Sequence, residues 1–233
     1  MSISNIQNDL REVSDPERAK NAIWFFKTGK GQYGEGDVFI GVSNPNLRAV
    51  CKNYKHLNFD ELQDLLDDKI HEFRFAALVI MVEQFKKANA EKRKQIFDLY
   101  LKNLQNINNW DLVDCSCRDI VGFYLYDKDR TLLDEMAMVD HLWTQRVAMV
   151  STSYFIGKGE FEDVLRIAKL LLNHKHDLIH KAIGWMLREA WKRGGQTMVE
   201  SFLTENIREI PRTALRYSLE KMTDERRGYF MKM

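Results

Sequence analysis

The stretch Phe73-Arg74-Phe75-Ala76-Ala77-Leu78-Val79-Ile80-Met81-Val82-Glu83-Gln84-Phe85 decides the fold class of this chain. Its apolar residues Phe73, Ala76, Ala77, Ile80, Met81 and Phe85 recur at steps of three and four, which gathers them on one side of an α-helix. Working outward, helical patterning extends over nearly the whole sequence. The three prolines, Pro16, Pro45 and Pro211, each stand where a helix can begin, and Pro16 follows Ser14-Asp15, a capping pair ahead of a first-turn proline.

The same signature returns along the chain. Glu72-Phe73-Arg74-Phe75-Ala76-Ala77 aligns with Thr144-Gln145-Arg146-Val147-Ala148-Met149 and with Ile179-His180-Lys181-Ala182-Ile183-Gly184, a basic residue preceding a small apolar core each time. The intervals are 72 and then 35 residues, and Ile210-Pro211-Arg212-Thr213-Ala214-Leu215 continues 31 residues after Lys181. Spacing near 35, with 72 as two periods, is what a degenerate helical repeat of the HEAT or armadillo type leaves in a sequence. The expected fold is therefore all-α, a curved right-handed solenoid of HEAT-like repeats forming one domain over residues 1–233. Residues at matching repeat positions line one concave face of such a solenoid. That makes Arg74, Arg146, Lys181 and Arg212 candidates for a basic track along a nucleic-acid backbone. The alternative is that they brace successive helix pairs through neighbouring acids.

Composition narrows the function classes. The net charge is only +1, yet residues 141–233 hold 16 Lys or Arg against 11 Asp or Glu, leaving −4 for residues 1–140. A basic second half suits phosphate contact as well as plain solvated helix. No apolar run approaches the roughly 20 residues that span a bilayer, and Met1 to Arg11 lacks a signal-peptide core, so a cytoplasmic protein without membrane contact is expected. Cys51, Cys115 and Cys117 cannot all pair, and Cys115-x-Cys117 lacks a second ligand pair at zinc spacing, so reduced thiols and no metal site are expected.

Asn108-Asn109-Trp110-Asp111-Leu112-Val113-Asp114 carries the chemistry. Trp110 and Asp114 stand four apart, on one helical face. An indole beside a carboxylate suits a cation, because the ring face attracts positive charge and the acid stabilises it. With Asn108 or Asn109 capping the helix, Asp114 lies a full turn inside it and has no capping duty. Taken alone, the pair also fits a core tryptophan beside a surface acid. Trp24, Trp143 and Trp191 read as packing residues.

Three blocks in order, Asn109-Trp110-Asp111-Leu112-Val113-Asp114, Trp143-Thr144-Gln145-Arg146-Val147-Ala148 and His180-Lys181-Ala182-Ile183-Gly184-Trp185-Met186-Leu187-Arg188-Glu189, resemble the DNA alkylation repair family of HEAT-like repeat proteins, over about residues 15–220. The resemblance implies that Asp114 is the catalytic acid, that Trp110 and Trp185 flank the lesion, and that Arg146 contacts phosphate. It implies hydrolysis of the N-glycosidic bond of cationic alkylated purines in double-stranded DNA, by a monomer that needs no cofactor. It further implies recognition in an open groove, without the deep base-flipping pocket that most glycosylases use.

The departure lies near the N-terminus. Phe25 is the closest match to an aromatic that helps grip the lesion, and it lacks a hydroxyl. Five of the twelve glycines, Gly29, Gly31, Gly34, Gly36 and Gly41, follow within thirteen residues. Gly29, Gly31 and Gly34 satisfy G-x-G-x-x-G, but helix-like sequence precedes them and strand-like Val38-Phe39-Ile40-Gly41-Val42 follows, the reverse of a dinucleotide fold. The segment instead predicts a loop or a short β-hairpin near residues 28–42, with Lys27 and Lys30 able to face phosphate. Relatives with altered N-terminal elements are implied to bind branched or distorted DNA without excising bases. Two readings therefore stand, glycosylase and non-catalytic binder of branched DNA, with a protein-binding helical scaffold as a third.

Overall fold

The computed structural model describes residues 3–233. The chain forms α1 (Ile3–Glu12), α2 (Pro16–Phe25), α3 (Asn44–Cys51), α4 (Phe59–Leu66), α5 (His71–Lys87), α6 (Ala90–Lys102), α7 (Trp110–Asp114), α8 (Phe123–Leu125), α9 (Thr131–Met138), α10 (Leu142–Ser151), α11 (Ser153–Ile156), α12 (Glu162–Leu171), α13 (Asp177–Lys192), α14 (Gln196–Asn206), α15 (Arg212–Ser218) and α16 (Asp224–Lys232). A π-helical turn, Arg118–Gly122, leads into α8. The chain divides into two compact units, one ending at Ser116 and one running from Cys117 to Met233.

In the first unit α5 is the spine. Every residue from His71 to Val82 is buried, and α1, α3 and α4 pack against it. A helix buried all round is a core helix rather than an amphipathic surface one. Local chemistry starts its neighbours: Asn58 and Glu61 form a reciprocal capping box on α4, and Asp15 Oδ1 accepts from the Glu17 and Arg18 amides ahead of Pro16. All three prolines stand at helix starts, as their sequence positions predict.

In the second unit α13 packs against α10, α12, α14 and α15. Gly184 sets the approach of α13 to α15, since a Cβ there would lie 2.4 Å from the Ala214 carbonyl oxygen and 2.4 Å from Tyr217 Cβ. The repeat register is visible directly: the four aligned segments fall in α5, α10, α13 and at the start of α15. α4 packs on α5, α9 on α10 and α12 on α13, the paired helices of a HEAT-like repeat.

The 28–42 segment forms no hairpin. It is a chain of turns in which Gly31, Gly36 and Gly41 adopt positive φ. Val38 then makes an isolated parallel bridge with Ile70, through Val38 N–H to the Lys69 carbonyl at 3.3 Å and His71 N–H to the Val38 carbonyl at 2.8 Å. The extended residues pair with a partner some thirty positions away, so no local antiparallel strand forms. Among the described residues no helix is long and apolar enough to cross a membrane. All three cysteines are free thiols.

Candidate active site

The site of the first unit is built on α7 and the start of α5. Asn109 is fully buried and its side-chain oxygen accepts from the Trp110 amide at 2.9 Å, starting α7, while its Nδ2 donates to Asp37 at 3.3 Å. One residue on, Asp111 is bolted to α5: His71 Nε2 stands 2.9 Å from Asp111 Oδ2, and His71 Nδ1 stands 3.0 Å from Asp37 Oδ2. Arg74 closes the network, donating to Asp37 at 2.5 Å, to Asn108 at 3.1 Å and to the Asp68 carbonyl at 2.8 Å.

The electrostatics follow from this enclosure. Burial opposes charge on His71, but the carboxylates of Asp111 and Asp37, one at each ring nitrogen, raise its pKa from 6.5 to about 9. His71 is therefore an imidazolium at neutral pH, donating to both acids. Burial likewise opposes charge on Asp37, yet the His71 hydrogen bond and the Arg74 guanidinium hold its carboxyl below the usual range.

α7 so fixed carries Trp110 and, one turn on, the half-buried Asp114. The indole stacks on Phe26 with centroids 5.4 Å apart, and Phe25 meets it edge-on at 5.8 Å. Phe26 in turn stacks on Phe39 at 4.9 Å. Phe25 and Trp110, singled out separately in the sequence, thus meet in one aromatic cluster. Beneath α2 these rings border a cavity of about 780 Å³ whose wall includes Trp24, Phe39, His71 and Asp111.

Glu72 ties the glycine-rich segment to this floor. Its carboxylate accepts from three successive amides, Ile40, Gly41 and Val42, the shortest bond being 2.7 Å from Gly41. Gly41 has φ +84°, and a Cβ there would lie 2.0 Å from the Asp15 carbonyl oxygen and 2.6 Å from the Ala19 nitrogen. Gly41→Ala should therefore cost about 2 to 4 kcal/mol, from left-handed strain and overpacking against backbone. Urea denaturation tests this, and a loss under about 0.5 kcal/mol would show that the segment yields freely.

Other expected residues fall differently. Arg74 is buried in the Asp37 pair and so does not belong to an exposed basic track. Arg146 is also buried, its Nη1 donating to the Leu178 carbonyl at 2.7 Å, so it braces α10 against the start of α13 rather than standing open to solvent. Lys181 is partly exposed and paired with Asp177 at 2.8 Å, and Arg212 is exposed. Trp185 is half-buried on α13 beside buried Gly184. Lys30 is exposed, and the Lys27 ammonium lies 4.6 Å over the Trp24 ring. Trp143 is buried, and Trp191 donates to Glu200 at 3.1 Å. Trp24 is no packing residue: it is 74% exposed, because α2 buries none of its residues. Sequence reading missed Asp37, His71, Asp111 and Glu72; His71 and Glu72 carry the signal of polar side chains at the start of an apolar helical block, whereas Asp37 lies in the glycine-rich turns and Asp111 on the short helix α7. Among the described residues no three His, Cys, Asp or Glu side chains converge to hold a metal ion.

Paired helices in repeat register, with Asp114 and Trp110 on a short helix of the first unit beside the Phe25, Phe26 and Phe39 rings, define a HEAT-like repeat protein with a candidate site on that helix. The sequence profile of the family described as DNA alkylation repair enzyme matches residues 6–222, and the chain belongs to that family. Membership supports a role in DNA repair and DNA binding. No curated protein matches the chain. Among solved structures it is similar to a predicted DNA alkylation repair enzyme from Enterococcus faecalis, with 19% identity, 91% of this chain and 97% of that chain covered, and a TM-score of 0.68. A second similar structure is described as a new family of proteins related to the HEAT-like repeat DNA glycosylases with affinity for branched DNA structures, at 14% identity, 90% and 83% coverage and a TM-score of 0.60. A third is AlkD2 from Streptococcus mutans, at 15% identity, 95% and 97% coverage and a TM-score of 0.57. These likenesses establish the fold.

Proposed function

We propose that the protein binds double-stranded DNA and hydrolyses the N-glycosidic bond of cationic alkylated purines, with Asp114 as the catalytic carboxylate. Alkylation at a ring nitrogen gives the purine a positive charge, so it leaves well without a general acid. What remains is to stabilise the electron-poor sugar as the bond breaks, the part carboxylates play in other glycoside hydrolyses. The observation that carries this reading is the fixing of α7: with Asp111 held by His71 and Asn109 by Asp37, the helix presents Trp110 and Asp114 at a set rotation. Trp110 and Phe25 supply cation-π faces, each worth about 0.5 to 2 kcal/mol. In the second unit Lys181, Arg212 and Trp185 are the accessible candidates for further DNA contact, and in the first Lys27 and Lys30.

The test is release of methylated purine from alkylated duplex. Asp114→Asn should reduce release by about a hundredfold or more, the size seen when a preorganised charge-stabilising group is removed. Equal release from both proteins would remove Asp114 from the chemistry. A second reading, a non-catalytic binder of branched DNA, is favoured by Phe25, which offers no hydroxyl where the family has a lesion-gripping aromatic. It gains if neither protein releases base while both bind DNA and prefer branched over linear duplex.

A further inference from the structure

Helices of this chain start on the short polar side chains Asp15, Ser43, Asn58, Asn89, Asn109 and Thr223, each accepting from a backbone amide through an oxygen. In the second unit α10 and α13 start differently. His141 caps α10 and His176, one repeat later, caps α13, the ring Nδ1 accepting from the Thr144 amide at 3.4 Å and from the Leu178 amide at 3.1 Å. The Thr144 hydroxyl also lies 2.7 Å from His141 Nδ1. His174 repeats the arrangement just upstream, its Nδ1 accepting from the His176 amide at 2.9 Å, and His180 Nε2 donates to the His174 carbonyl at 2.6 Å. Asparagine caps a helix as well as any residue, and histidine is not among the preferred caps. What an imidazole adds is a second nitrogen. A ring nitrogen that accepts carries no hydrogen, so in His141 and His174 the hydrogen sits on Nε2. Both rings are half-buried, and among the described residues neither Nε2 has a hydrogen-bond partner.

We propose that His141 and His174 are neutral hydrogen-bond donors to the phosphate backbone of duplex DNA, each through Nε2. The proposal rests on the DNA-binding reading above and adds to it a contact that carries no charge. Placing a charge on either ring needs a proton on Nδ1, which would evict the backbone bond held there. Burial lowers the pKa of both rings in the same sense, so they are neutral at pH 7. The pair therefore offers donors and no acceptors. A phosphodiester oxygen offers acceptors and no donors, whereas a peptide or a base edge presents donors that would go unmet here. The helix starts themselves are not the site, because the imidazoles already occupy the Thr144 and Leu178 amides. Around the rings stand Arg146 and Lys181, whose charges act on His176, and exposed Lys175. Of the acids, Asp177 pairs with Lys181 at 2.8 Å, and exposed Asp140 acts on His174.

The experiment measures affinity for a short, fully paired duplex between about 50 and 200 mM salt, where phosphate contacts by cations show as a steep fall. His141→Asn and His174→Asn keep the backbone bond and remove the distal donor, so the melting temperature should hold. Each should weaken binding roughly three- to tenfold, the worth of one neutral hydrogen bond, at every salt concentration and with the native slope. Asp140→Asn should tighten binding. Unchanged affinity in all three variants would show that the imidazoles are caps and nothing more, and a shallower slope in the histidine variants would show that they act as cations; either overturns the proposal. Nitrogen NMR of the native imidazoles tests the same point without a variant. Both rings should appear as the Nε2–H tautomer at neutral pH and shift at Nε2 when duplex is added, and charged or unmoved rings would overturn the proposal. No affinity for the duplex in the native protein would overturn the DNA-binding reading with it.

Discussion

Asp37→Ala is expected to lower the free energy of unfolding by about 3 to 5 kcal/mol, the cost of removing one partner from a buried ion pair. The side chains of Asp37, Arg74 and His71 are 3%, 5% and 3% exposed, so water cannot take over the lost contacts. Asp37 accepts from Arg74, His71 and Asn109, and its loss leaves two cations facing each other in the interior. Urea denaturation measures the effect. The double variant Asp37→Ala/Arg74→Leu should lose less than the two single losses combined, because the stranded guanidinium is gone as well. A loss for Asp37→Ala below about 1 kcal/mol would mean that the network is hydrated and does not fix α7.

The second large effect is on pH. His71 has a pKa of about 9 in the fold against 6.5 unfolded. Between these values the folded state binds the extra proton, so the stabilisation is complete below about 6.5 and is lost as pH rises through 9. Its size is about 3 kcal/mol at 1.36 kcal/mol per unit. Burial also raises Cys51 from 9.0 and Tyr54 from 10.0, each to about 12, but those losses begin only above their unfolded values. The lowered values of His141, His174 and His176, caused chiefly by burial, act on the acid side, below 6.5. Asp37, held below 3.8, contributes stability above that pH and loses it on further acidification. A fall in unfolding free energy between pH 6.5 and 9 therefore reports His71. It should vanish in His71→Gln, and a flat profile in the native protein would show that the imidazole is neutral in the fold.

The repeat register was legible because a buried helix stamps its period on the sequence, and the aligned blocks do mark α5, α10, α13 and α15. What periodicity could not show was which basic residues face outward. At equivalent positions Arg74 and Arg146 are buried and Lys181 and Arg212 are not, since exposure depends on the neighbouring helices and not on the repeat itself. Of the loop and the short hairpin that residues 28–42 left open, the loop is what forms, for a related reason: β-branched and aromatic residues favour extended backbone, but the partner of Val38 is Ile70, far along the chain. Trp24 reads as core by residue type and is exposed because no helix covers it. Trp110 and Phe25 were legible as aromatics, whereas their meeting, and the Asp37–His71–Asp111 chain across separations of 34 and 40 residues, needed the fold.

Helix α2, above the aromatic-lined cavity, has one more consequence, for how this protein can diverge. Residues of α5 from His71 to Val82 answer to a crowded interior, and nearly any change there is felt as lost stability. The solvent-facing positions of α2 answer to no such constraint. Drift across Glu17 to Trp24 can alter shape and charge over the opening while the fold stays intact, so descendants of this chain can acquire new preferences without first acquiring compensating repairs.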